Sequence, residues 1–197
     1  MVESAVSGAD DAPSSSVALL LIDVVNALDF ADSHGLVEAA GRAAPRILAL
    51  RERAHLANVP VIYANDNFGQ WRSDFRATIS ACSAPAKPGH QVTRLLVPTE
   101  RDYFVLKPRH SAFYCTALEV LLERLETRTL ILVGFATNIC VLYTASDAHM
   151  RNYEVVVPHD CTASNSQQLT DQALEQMRLV TAARTLESTE LDLAALR

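Results

Sequence analysis

Cys140 ends the run Leu130-Ile131-Leu132-Val133-Gly134-Phe135-Ala136-Thr137-Asn138-Ile139-Cys140, in which an apolar strand breaks at a glycine and the chain re-enters a helix with a thiol in its first turn. The first turn of a helix carries unpaired backbone N–H groups and the positive end of the peptide dipoles, and both favour thiolate over thiol. The same N–H groups can hold an oxyanion, so a nucleophile and its charge stabiliser can share one turn. Read alone, Cys140 is equally well a small buried core residue, the usual fate of a free cysteine. Other residues must decide between the two.

An acyl-transfer thiol needs a base for its proton and a cation beside the developing thiolate. Asp23 follows the apolar run Val17-Ala18-Leu19-Leu20-Leu21-Ile22, and Lys107 follows Tyr103-Phe104-Val105-Leu106. The aspartate can take the thiol proton and later pass it to a leaving amine, while the ammonium favours the thiolate and orients the carboxylate. Taken singly, Asp23 reads as a helix cap or turn residue and Lys107 as a solvated strand terminus. Together with Cys140 the catalytic reading is the better one. The chain contains no G-x-G-x-x-G, no G-x-x-x-x-G-K-[ST] and no G-x-S-x-G, so no nucleotide cofactor and no serine nucleophile is expected.

These residues need a scaffold that brings distant segments together. The six-residue run ending at Ile22 reads as a central parallel strand, buried on both faces. A helical pattern over Leu36–Ala57 stops before Asn58-Val59-Pro60, and Pro60–Ala64 reads as the second strand. The connection Asn65–Pro98 is too long for a simple loop and is expected to hold a short helix near Asp74–Cys82, which can cover a site. Strands follow at Tyr103–Leu106, Leu130–Val133, Glu154–Val157 and Ala182–Thr185, alternating with helices at Thr116–Leu125, Val141–Met150 and Gln167–Val180. This alternation predicts a three-layer, Rossmann-like α/β fold, a parallel sheet with helices on both faces. Ligands of such sheets bind beyond the carboxyl ends of the strands, where strand order reverses. Asp23, Lys107 and the Gly134–Cys140 turn all lie at such ends.

A chain of 197 residues, 49% hydrophobic and 20% charged, is enough for one domain with a full core. Residues 1–16, rich in Ser, Ala and Asp without apolar period, are expected to be a flexible tail, leaving 17–197 as the domain. The net charge of −6 is dispersed and no basic stretch tracks a phosphate backbone, so nucleic acid is not an expected partner. The apolar runs are strand-length, far short of a membrane span, and the first residues lack a basic start and apolar middle. A cytoplasmic protein is expected. The four cysteines show no zinc or C-x-x-C spacing; they read as reduced thiols, with Cys82, Cys115 and Cys161 in packing roles.

The chain resembles the isochorismatase-like cysteine hydrolases, which include nicotinamidases, N-carbamoylsarcosine amidohydrolases and ureidoacrylate amidohydrolases. The resemblance runs from about Val17 to Thr185. It is carried by Leu20-Leu21-Ile22-Asp23-Val24-Val25-Asn26, by Val105-Leu106-Lys107-Pro108-Arg109-His110-Ser111-Ala112-Phe113, by Gly134–Val141, and by Ala145-Ser146-Asp147-Ala148 with Tyr153–Val157. It implies a catalytic triad of Asp23, Lys107 and Cys140. It also implies a cis peptide between Phe135 and Ala136 that turns the Ala136 N–H toward the oxyanion beside that of Cys140. A homo-oligomer, dimer or tetramer, acting on a small amide-type substrate is the implied state.

The departures narrow the expectation. Nicotinamidases of this family carry Asp-x-His and a further His after the second strand to bind a metal, where this chain reads Asn65-Asp66-Asn67-Phe68-Gly69-Gln70-Trp71. A lone Asp66 is a poor site for ions that prefer imidazole, so neither metal nor other cofactor is expected. Isochorismatases that cleave an enol ether lack the cysteine, so Cys140 argues for C–N cleavage through a thioester. His110, just beyond Lys107, reads as structural. Asn26, Phe30, Phe68, Trp71, Phe135 and Asn138 are candidates for the pocket wall; Phe68 and Trp71 either stack a flat substrate or pack under the long connection. Arg72, Arg76 and Arg109 offer to meet a carboxylate. The alternatives to a cysteine hydrolase are a catalytically silent member that binds a small molecule or partner in the same pocket, and a thiol-based redox protein.

Overall fold

β1 (Val17–Ile22) is buried along its entire length, and so is β4 (Thr129–Phe135) beside it. Their aliphatic side chains leave water on both faces, each fully buried Leu, Ile or Val contributing roughly 1.5–3 kcal/mol. The computed structural model describes residues 14–72 and 74–196. Around the central pair lie β2 (Val61–Asp66), β3 (Tyr103–Lys107), β5 (Glu154–Pro158), β6 (Thr162–Ala163) and β7 (Arg184–Leu186). The order is β3-β2-β1-β4-β5-β7, with β6 paired to β4, and every pairing among the described residues is parallel.

The alternation of side chains along each strand divides the core. Leu19, Leu21, Tyr63, Ile131 and Val133 meet α1 (His34–Leu56) through Ala40, Ala44, Ile47 and Leu50, with Phe75 of α2 (Phe75–Cys82) and Val92 of α3 (His90–Leu95) on the same side. Leu20, Ile22, Ile62, Leu130 and Leu132 face Leu118 and Leu122 of α4 (Leu118–Arg124), Ala145 and Ala148 of α5 (Leu142–Met150) and Met177 of α6 (Gln167–Thr181). Three layers result, as the sequence pattern predicts. Two helices start where a side chain caps them: Asp74 accepts from Ala77 N at 2.8 Å, and Ser166 from Leu169 N at 3.3 Å.

The chain builds outward from β1 through β2 to β3, then returns to lay β4 on the other side of β1. The strand order therefore reverses between β1 and β4, and the carboxyl ends of these two strands are where ligands of such sheets bind. Gly134 fixes how closely the two strands approach there. It stands in register with Ile22 at φ +114°, and a Cβ on it would lie 2.0 Å from the Ile22 carbonyl oxygen, so only glycine fits.

Several bounds shift by a residue or two from the sequence reading, and three differences concern more than that. Residues 1–13 of the expected tail lie outside the described residues, but Ser15 is buried, donating from its N–H to Leu125 O at 2.7 Å, and Ser16 O accepts from Thr129 N at 2.8 Å. These are main-chain contacts, which a polar composition does not reveal, and they move the start of packing ahead of Val17. The helix expected at Val141 begins at Leu142, preceded by a π turn over Thr137–Val141. The long connection holds α3 as well as α2.

Candidate active site

Asp23 comes directly after β1 and turns the chain at φ +52°, a left-handed conformation that Asp tolerates better than most residues. Two contacts with β2 hold it there. Its N–H donates to Ala64 O at 3.0 Å, and its Oδ1 accepts the Asp66 N–H at 2.6 Å. The segment after it is clamped by Asn65, fully buried, which accepts Val25 N at 3.1 Å through Oδ1 and donates to Val25 O at 2.8 Å through Nδ2.

Lys107 is the last residue of β3 and its side chain is wholly buried. The ammonium lies 2.7 Å from Asp23 Oδ2, 3.3 Å from Arg109 O, 3.6 Å from Cys140 Sγ and 3.8 Å from Asp66 Oδ2. The alternative of a solvated strand terminus is excluded. Cys140 sits in the π turn, where Ile139 N and Val141 N both donate to Ala136 O, at 3.1 and 3.2 Å. The turn is pinned by β6: Thr162 Oγ1 donates to Gly134 O at 2.8 Å and meets Thr137 Oγ1 at 2.8 Å, while Asn138 N donates to Ser164 Oγ at 3.3 Å. The Phe135–Ala136 peptide is cis, as the resemblance implied.

Asp23, Lys107 and Cys140 thus form one cluster from three separate parts of the chain. Its electrostatics differ from the sequence expectation. Burial pushes the Cys140 thiol up, and the Asp23 carboxylate beside it pushes the same way; Lys107 opposes both but does not win. Burial and Asp23 therefore weigh against the thiolate that a helix first turn favours. For Asp23, burial raises the carboxyl above its usual range, against the pull of Lys107, the Cys140 thiol and the Asp66 N–H. For Lys107, burial acts downward but the charges of Asp23, Cys140 and Asp66 outweigh it and hold the proton more firmly than usual. The arrangement is a buried carboxylate–ammonium pair in contact with a sulfur.

The other candidates go to different places. Phe135 is 1% exposed and packs into the core, so its side chain does not line a pocket; the expectation is corrected, because the buried strand β4 extends through it. Trp71 is 78% exposed and Phe68 44%, so neither is buried beneath the long connection; Phe30 is 48% exposed. Asn26 holds its own loop, its N–H donating to Thr93 Oγ1 at 3.1 Å and its Oδ1 accepting Leu28 N at 2.9 Å. Asn138 lines a groove of about 250 Å³ with Leu142, Tyr143 and Gln176 between α5 and α6. Arg72, Arg76 and Arg109 are exposed, and the His110 ring lies 5.5 Å from that of Tyr143. Sequence reading overlooked Asn65 and the amide of Asp66; the polar triplet at the end of an apolar strand was the available signal.

The isochorismatase domain model matches residues 17–189. The chain belongs to the isochorismatase-like hydrolase family. Among its relatives, the uncharacterized isochorismatase family protein YaaI of Bacillus subtilis is 40% identical over 163 residues, 83% of this chain and 89% of that one. Ureidoacrylate amidohydrolase RutB of Methylorubrum extorquens matches locally, 42% identical over 67 residues, 34% of this chain and 27% of that one. N-carbamoylsarcosine amidase from Thermoplasma acidophilum superposes with a TM-score of 0.69 at 25% identity, covering 90% of this chain and 99% of that one.

Some nicotinamidases of the isochorismatase-like family hold a metal after the second strand, and the residues here do not fit one. Asn65 is committed to Val25, the Asp66 carboxylate accepts Phe68 N at 2.6 Å, and Asn67 Oδ1 accepts Gly69 N at 2.9 Å. Amides and a single carboxylate are a poor donor set for a borderline ion. Among the described residues, no helix is long and apolar enough to cross a membrane.

Proposed function

We propose that this protein is a cysteine hydrolase that cleaves a C–N bond of a small amide, carbamoyl or ureido compound through a thioester, without metal or other cofactor. The observation that carries the reading is the buried contact of Lys107 Nζ with both Asp23 Oδ2 at 2.7 Å and Cys140 Sγ at 3.6 Å. As Cys140 sulfur bonds to the substrate carbonyl carbon, its proton passes to Asp23 and the carbonyl π pair moves to oxygen. The N–H groups of Ala136 and Cys140 receive that oxyanion. Collapse of the intermediate breaks the C–N bond, and Asp23 returns the proton to the departing nitrogen, leaving a thioester. A water molecule then gives a proton to Asp23 and attacks the thioester; the acid leaves and the proton returns to sulfur. Lys107 stays charged throughout and balances Asp23 when it is ionised.

The push of burial and of Asp23 toward a protonated sulfur supports this sequence, because the proton that Asp23 must take is then still on Cys140. Exposed Phe30, Phe68 and Trp71 supply flat apolar surface for a substrate. The protein is a homo-oligomer in this reading, with exposed Tyr143, Leu179 and Val180 as apolar surface for subunit contact. The test is a screen for ammonia release from small primary amides, carbamoyl and ureido compounds, comparing wild type with Cys140→Ala. Turnover that vanishes in the variant is expected, and turnover that persists removes Cys140 from the reaction.

A further inference from the structure

Asp66 touches both charged members of this cluster. Its backbone N–H donates to Asp23 Oδ1 at 2.6 Å, while its own carboxylate lies 3.8 Å from Lys107 Nζ and accepts the Phe68 N–H at 2.6 Å. The side chain is 29% exposed, between a buried ion pair and solvent. The charged or titratable groups facing the Lys107 ammonium are Asp23 after β1, Asp66 from β2 and Cys140 from the π turn. Two carboxylates therefore share one ammonium, and the sulfur is the third claimant.

We infer that Asp66 is a positioning residue that acts on Cys140 through Lys107: its carboxylate draws on the ammonium, so the sulfur remains a thiol until a substrate carbonyl is in place, while its amide fixes Asp23 as the acceptor of the thiol proton. The inference rests on the reading of Cys140 as nucleophile and adds to it a control on when the nucleophile forms. A lysine faced by Asp23 alone has more positive charge to offer a thiolate; a lysine faced by two carboxylates has less. The upward push of burial and of Asp23 on the Cys140 proton agrees with this, since the single ammonium fails to offset it. The Asp66 carboxylate has a second task, which separates from the first. By accepting the Phe68 N–H it closes the turn that leads into Phe68 and Trp71, and an amide or hydroxyl oxygen at the same place can accept that bond without carrying charge.

The separation supplies the test, with iodoacetamide as the probe. Asp66→Asn and Asp66→Ser both keep an acceptor for Phe68 N–H and remove the charge, and two variants guard against one failing to fold. The second-order rate of Cys140 alkylation at pH 7, read by peptide mass spectrometry with exposed Cys115 as the internal reference, is expected to rise about tenfold in either folded variant, the change in thiolate fraction for one unit of thiol pKa. Cys115 is expected to react at an unchanged rate. A faster Cys140 supports the inference whether or not an amide substrate has been found. An unchanged or slower Cys140 overturns it even where the wild type hydrolyses amides.

Discussion

Lys107 Nζ reaches Asp23 Oδ2 at 2.7 Å across β2, the strand that separates their own two strands in the sheet. The lysine stem spans the end of β2 and takes no part in solvation, so the pair exists only because the fold buries both charges together. Leaving Asp23 buried without a partner is therefore expensive. Lys107→Met is expected to lower unfolding free energy by about 3–5 kcal/mol, the scale for removing one member of a buried pair. Adding Asp23→Asn to it should recover part of the loss, because the orphan charge is gone. A double variant as unstable as the sum of the two singles, in urea denaturation, would contradict the coupling.

Asp23→Asn alone is expected to move two readouts in opposite directions. Hydrolysis should fall by roughly 10²-fold or more, the usual scale for a positioned acid–base group. Alkylation of Cys140 should rise, because the carboxylate that holds its proton has gone and Lys107 is less occupied. Slower alkylation together with slower hydrolysis would mean that Asp23 is the activator of a thiolate instead of the acceptor of a thiol proton.

Stability should fall as the solution becomes alkaline. Cys140 and Lys107 hold their protons more tightly folded than unfolded, and burial pushes Cys161 and Tyr63 up to about 12 each. The sign follows from proton counts. Between the ordinary values of these groups and their folded values the native state binds more protons than the unfolded chain, so stability is fully present below about pH 9 and is lost above it. Each group contributes up to about 1.4 kcal/mol per pH unit over its own window. Urea denaturation from pH 8 to pH 11 measures the slope, which Cys140→Ala should make shallower. The raised Asp23 carboxyl also places the acid limb of kcat/KM above the ordinary carboxylate range, provided the ionised form is the base.

Gly134→Ala should be poorly tolerated although it adds one methyl group. That carbon would stand 2.0 Å from Ile22 O, on a backbone at φ +114°, so β1 and β4 must part at the end that carries the site. Loss of soluble folded protein is expected, and a variant with unchanged Tm would show that the strand ends are not held at this distance.

The layers of this fold were legible because β1 and β4 are unbroken apolar runs and the intervening helices show their period. Asp23, Lys107 and Cys140 were legible as strand-end residues of useful chemistry, within motifs similar to a known family. What the sequence concealed follows from interactions between distant segments. The charge state of Cys140 depends on Asp23 and on burial, which no window around Cys140 contains. Ser15 joins the fold through its peptide N–H to Leu125 O, a contact with a distant segment that no local pattern contains. β6 is two residues long and identifiable only by its pairing with Gly134 and Phe135. Asn65 reads as a loop residue until its amide is seen closing on Val25.

The placement of β4 beside β1, after β2 and β3 have been laid on the other side, has a consequence for the nascent chain. Pairing of β1 with β4 closes a loop that includes both earlier strands, a non-local step of the kind that makes parallel sheets slow to form. Until it closes, Cys140 has neither Asp23 nor Lys107 beside it and is an ordinary solvated thiol. Chains ending before β4 carry Asp23 and Lys107 but not Cys140, so the cluster of the three assembles only once β4 has been laid beside β1.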